Sequence, residues 1–115
     1  MRMLVVLSHA PYDGTDVAWN ALRFVGAARA KGHDVRLFLV NEGVEVARQH
    51  VPDGAEFDLP AMIAEALHEG VETKLCGTCV NRCGISRAEL VAGVVVAGMA
   101  DFVDWVAEAD RVLSF

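Results

Sequence analysis

"MLVVL", residues 3–7, sets five apolar residues in a row and is broken at once by Ser8-His9-Ala10-Pro11. A run this short, without polar alternation, predicts a strand covered on both faces, as strands are when helices flank a parallel sheet. We expect it to be the central strand. Strand and helix signals alternate outward from it. "DGTD" offers Asp13, Thr15 or Asp16 as a helix N-cap. Val17, Leu22, Phe24, Val25 and Ala28 then give a broad apolar helical face, and Lys31-Gly32 supplies a basic last turn and a stop. "VRLFLV" at 35–40 predicts the second strand, and residues 44–48 a short helix ending in the polar loop "QHVPDG".

Pro60 suits a first helical turn, and Met62, Ile63, Ala66 and Leu67 recur at helical spacing until Gly70. Strands follow at 71–75, 93–97 and 111–115, with a helix at 101–108 between the last two. Parallel strands require crossovers, which helices provide. The alternation therefore predicts an α/β fold: a three-layer α/β/α sandwich on a mostly parallel five-stranded sheet. With 115 residues, 54% of them hydrophobic, the chain suits one domain, residues 1–115, and leaves no room for a second.

Ten basic against sixteen acidic residues give a net charge of −6, a field that repels polyanions, so no direct nucleic-acid partner is expected. No stretch approaches the roughly 18–20 uncharged apolar residues of a membrane span, and Met1-Arg2-Met3 leads straight into the first apolar run. We expect a soluble cytoplasmic protein with no membrane partner. The three cysteines, Cys76, Cys79 and Cys83, are odd in number and clustered, unlike the even, scattered cysteines of secreted scaffolds. Thiols kept reduced for chemistry fit better.

All three lie in "KLCGTCVNRCGI", residues 74–85. In parallel sheets ligands gather outside the carboxyl ends of the strands. Cys76 follows Leu75 there, at the start of a helix expected near Thr78, where unpartnered amides favour a thiolate and lower its pKa below the free value of about 8.5. On a helix the three thiols fall within about 80° of arc. Cys76 and Cys83 would be about 10 Å apart along it, beyond the roughly 7 Å Cα limit of a disulfide. Cys76 with Cys79, or Cys79 with Cys83, is one turn apart and can close, so a dithiol switch stays open. Metal is disfavoured: structural zinc takes four ligands, His9, His33, His50 and His68 are scattered, and C-x2-C-x3-C lacks the fourth cysteine of a cluster site. No cofactor is expected. Free cysteine is often buried, so packing is the favoured reading for Cys79 and Cys83 and reactivity for Cys76.

His9, Asn41, Gly98 and Met99 follow strands at the same expected edge and are candidate pocket residues. The bland alternatives are a solvated loop histidine for His9 and a plain N-cap for Asn41. "DGTD" lacks the glycine and lysine pattern of a phosphate loop, and helix capping explains it better. Trp19 and Trp105 fall in helical patterns, where core packing is favoured.

Residues 75–85, followed by "GVVVAGMADFVDWVAEADRVLSF", resemble the DsrE/DsrF family of small sulfur-relay proteins, which includes the TusD-like subunits. "APYDGTDVAWNALRFV" and "GHDVRLFL" extend the resemblance over nearly the whole chain. It implies a DsrEFH-like fold and a sulfurtransferase role, with a persulfide carried on the cysteine that has a glycine eight residues later, here Cys76 and Gly84. It also implies a homo-oligomer, trimer or hexamer, exchanging sulfur with donor and acceptor proteins, without metal or nucleotide. Such a relay needs one exposed thiolate. Many members carry only the first cysteine, so Cys79 and Cys83 are not essential to it, and Cys79 is a candidate resolving thiol. The alternatives are a thiol-disulfide redox protein using Cys76 and Cys79, or a non-catalytic or metal-binding subunit of a sulfur-metabolism complex.

Overall fold

The computed structural model describes residues 1–115. In chain order it contains β1 (Arg2–Leu7), α1 (Val17–Ala30), β2 (Asp34–Leu39), a 3-10 segment (Asn41–Ala47), α2 (Leu59–His68), β3 (Glu72–Cys76), α3 (Gly77–Arg82), a 3-10 turn (Arg87–Glu89), β4 (Val95–Ala97), α4 (Met99–Glu108) and β5 (Arg111–Ser114). The five strands form one sheet in the order β4-β3-β2-β1-β5, and every pairing is parallel.

The middle strand is β2, not β1. From β1 the chain steps outward through β2, β3 and β4, then returns to lay β5 on the free side of β1, which leaves β1 one place off centre. Both strands are covered on both faces: Leu4, Val5, Val6 and Leu7, like Leu37, Phe38 and Leu39, are buried. The apolar run reports burial, which both positions share.

Right-handed crossovers put α1, α2 and α3 on one face while the chain steps outward, and α4 on the other when it returns. Residues paired in parallel register share a face, so Leu4 and Val6 of β1 lie with Arg36 and Phe38 of β2. On that face α4 supplies Phe102, stacked on Phe38 at 4.2 Å, and Trp105, edge-on to Phe38 at 6.3 Å. Arg36 and Lys74 sit over the Trp105 ring at 5.0 and 4.5 Å, so the indole covers the sheet, as core packing predicts. Trp19 stacks on Phe57 at 4.0 Å and pins the loop before α2. That loop is tied again where Leu59 N–H donates to the Tyr12 hydroxyl at 3.1 Å.

Several boundaries move for local reasons. Of residues 44–48, expected as a short helix, 44–47 belong to the longer 3-10 segment Asn41–Ala47, and Arg48 is its extended C-cap. The expected strand 93–97 begins only at Val95, because Gly93 turns the chain with φ +101°. α4 starts at Met99 rather than residue 101, since the Asp101 carboxylate accepts the Gly98 N–H at 2.9 Å and closes the first turn. Asp16 holds the N-cap position of α1 but makes no side-chain cap bond, while Asp58 caps α2 by accepting from Ala61 N–H.

Candidate functional site

β3 passes into α3 with no intervening loop. Cys76 is both the last strand residue, paired with Ala97 of β4, and the N-cap of the helix, with extended backbone at φ −62° and ψ 117°. Gly77 lies close to β4: a Cβ there would stand 3.1 Å from Val96 Cγ1, tighter than most side-chain contacts, and 3.4 Å from the Ala97 carbonyl oxygen, at the edge of ordinary contact. The Cys76 sulfur takes the place of a capping oxygen and accepts the Cys79 N–H at 3.4 Å.

The end of α3 explains Gly84. Gly84 has φ +70°, its N–H donates to the Asn81 carbonyl at 3.1 Å, and Ile85 N–H donates to the Val80 carbonyl at 3.1 Å. These two bonds form a Schellman motif, with buried Ile85 and Val80 as its apolar contact. The glycine eight residues after Cys76 is needed for left-handed backbone, and it ends the helix one turn past Cys79.

Cys79 faces a second donor. Its Sγ accepts the N–H of Asn41 at 3.2 Å, across the cleft between α3 and the 3-10 segment. Asn41 is not an N-cap; Val40 holds that position, in extended conformation. Asn41 opens the segment at φ +53°, a left-handed conformation that asparagine tolerates better than most residues. The 3-10 segment in turn lies hard against the end of β1, at Gly43. A Cβ there would fall 2.0 Å from the Leu7 carbonyl oxygen. Neither Gly43 nor Gly77 was picked out by motif, although each is a glycine within a few residues of a strand's carboxyl end.

Exposure departs from the sequence expectation. Cys76 is buried, with 6% of its surface exposed, while Cys79 and Cys83 are half-buried. The cause is the missing loop: a capping side chain folds under the first turn of its own helix. Burial, then the neighbouring Cys76 side chain, raises the pKa of Cys79, and the Asn41 amide works against them. Cys83, at the C-cap of α3, is raised by burial first and then by the carboxylates of Glu45 and Glu42. Both therefore stay protonated at neutral pH. Iodoacetamide labelling of Cys79 and Cys83, followed by peptide mapping, should accelerate about tenfold per pH unit up to and beyond pH ~9, where an ordinary thiol has begun to level off. Levelling at or below that pH would contradict the burial effect.

The remaining candidates are spread along the edge. His9 is engaged within its own loop, paired with Asp13 and 3.3 Å from Thr15 Oγ1. Two hydrogen bonds from Thr15, then the His9 partnership, hold the Asp13 carboxyl below its usual pKa. A depressed folded-state pKa adds stability above the unfolded value of about 3.9, which is lost as pH falls through the folded value. In Thr15→Val the Asp13 carboxyl signal should titrate at higher pH by NMR; an unmoved midpoint would refute this account of the loop. Gly98, next to Ala97, the register partner of Cys76, is the N-cap of α4, and Met99 after it is 60% exposed. No group of three or more histidine, cysteine or acidic side chains converges in metal-binding geometry.

Residues 1–115 match the DsrE/DsrF-like family from end to end. The chain belongs to this family. Among DsrE/DsrF-like relatives, the "Uncharacterized protein MK0008" of Methanopyrus kandleri is 36% identical over 96% of this chain and 91% of its own. Sulfurtransferase TusD of Enterobacter sp. is 32% identical, with both chains covered in full. Protein YchN of Escherichia coli is 31% identical over 99% of this chain and 98% of its own. The crystal structure of the ychN protein superposes with a TM-score of 0.89 and full coverage of both chains. The fold is thus shared by a protein of known structure that is 31% identical to this chain.

Proposed function

We propose that this DsrE/DsrF-like chain is a sulfur-relay protein that takes sulfane sulfur from a donor persulfide, holds it as a persulfide on Cys76 and yields it to an acceptor thiol. The observation that carries the reading is the position of Cys76 at the carboxyl end of β3, as cap of α3, with its sulfur receiving the Cys79 N–H at 3.4 Å. This sets the sulfur at the carboxyl edge of the sheet with a backbone donor facing it, and the exchange needs only thiols on both sides. Family membership and the full-length match to a TusD sulfurtransferase support the same reading. Donor and acceptor proteins, assembly as a homo-oligomer, either trimer or hexamer, and a reducing cytoplasmic setting belong to it. No helix is long and apolar enough to cross a membrane.

The low exposure of Cys76 makes the size of the donor matter. Incubation with a cysteine desulfurase and cysteine, or with thiosulfate and a rhodanese, should add about 32 Da per sulfur to the intact protein, and peptide mapping across residues 74–87 should assign it to Cys76. Unmodified protein after both treatments would defeat the proposal.

A further inference from the structure

We propose that Cys79 resolves the Cys76 persulfide, so that the chain releases sulfide as well as carrying sulfur; the inference rests on the relay reading above. Three structural facts single out Cys79. It is the third residue of α3 and its amide already donates to Cys76 Sγ, so the two thiols belong to one helical turn. Cys76 is the N-cap and Cys79 the third residue of the same first turn, the C-x-x-C spacing at which helix-borne dithiols close to a disulfide. Asn41, on a separate element, donates its N–H to Cys79 Sγ at 3.2 Å. That amide favours the Cys79 thiolate against burial and the Cys76 side chain, which keep the resting thiol protonated. Cys83 has neither feature. It lies seven residues from Cys76, at the far end of α3, beside Glu42 and Glu45.

In the proposed step Cys79 gives up its proton and its sulfur attacks Cys76 Sγ, the inner sulfur of the persulfide. A Cys76–Cys79 bond forms and the bond to the outer sulfur breaks. The outer sulfur leaves with the bonding pair as hydrosulfide and takes up the proton that Cys79 released. The balance is the Cys76 persulfide plus the Cys79 thiol giving the Cys76–Cys79 disulfide and hydrogen sulfide. The two cysteine thiols together lose the two electrons with which the sulfane sulfur leaves as sulfide. A dithiol reductant returns the disulfide to the starting state by two thiol exchanges.

The test loads wild type, Cys79→Ser, Cys79→Ala and Cys83→Ser with thiosulfate and a rhodanese, removes small molecules, and follows intact mass and free sulfide without reductant. Loaded wild type should fall by about 34 Da, to about 2 Da below the reduced chain, with one sulfide released and a disulfide mapped to Cys76 and Cys79. Both Cys79 variants should keep the added sulfur about tenfold longer or more and release no sulfide, while Cys83→Ser behaves as wild type. Two Cys79 variants guard against a folding defect peculiar to either. Equal persistence in wild type and Cys79 variants overturns the inference and leaves the relay intact, as does a disulfide that needs Cys83. Absence of loading on Cys76 in every protein removes the relay and this inference together.

Discussion

Gly43→Ala is expected to destabilise the protein by about 3 kcal/mol, lowering its melting temperature on the order of 10 °C. The new methyl carbon would stand 2.0 Å from the Leu7 carbonyl oxygen, 2.7 Å from its carbon and 3.2 Å from Ser8 Cα. All three are backbone atoms at the end of β1, and the same oxygen accepts the Val40 N–H at 3.0 Å, so it is held from both sides. Neither side chain repacking nor a rotamer change relieves the overlap. The Asn41–Ala47 segment must back away, and the Asn41 amide leaves Cys79 with it. Thermal and urea unfolding measure the first consequence. The second should appear as slower alkylation of Cys79 than in wild type at equal pH, because the amide that favours its thiolate is lost. A variant as stable as wild type would mean that the segment slides freely on β1, and the tight contact would lose its importance.

Cys76→Ser is expected to abolish sulfur loading, by about a hundredfold or more, while the fold survives. The two effects separate because they use different properties of the same atom. Serine is among the preferred N-cap residues, and its hydroxyl accepts the N–H that the thiol accepts now. Placing a hydroxyl at this nearly buried site costs about 1–3 kcal/mol at most, part of which the cap bond offsets. The nucleophile, by contrast, has no substitute: a thiol ionises near neutral pH and a hydroxyl does not. Circular dichroism should show an intact fold, and intact mass after donor treatment should stay at the unmodified value. A serine variant that still gains about 32 Da would transfer the carrier role to Cys79 or Cys83.

The cysteine stretch shows how far residues 74–85 could be read without coordinates. The helix after Cys76 and the spacing that separates Cys76 from Cys83 follow from neighbours in sequence, because capping and helical rise are local effects, while the strand expected to stop at Leu75 runs one residue further, to Cys76. The relative burial of the thiols went the other way. Cys76 is buried where β3 runs directly into α3 beside Ala97, a pairing that depends on β4 being next to β3. His9 shares the sheet edge but is occupied by Asp13 and Thr15, an arrangement set by how its loop closes.

Alternating apolar runs and helical faces, read along the chain, were enough to establish a parallel α/β sheet and to put the three cysteines at its carboxyl edge, since periodicity is written in residues a few places apart. Which strand stands in the middle, how close Gly43 comes to Leu7, and that the Asn41 amide meets Cys79 were decided by the assembled tertiary structure. That last bond spans 38 residues. Contacts of such range follow from strand order and register, which arise from how all the elements pack together and not from any one segment's own preference.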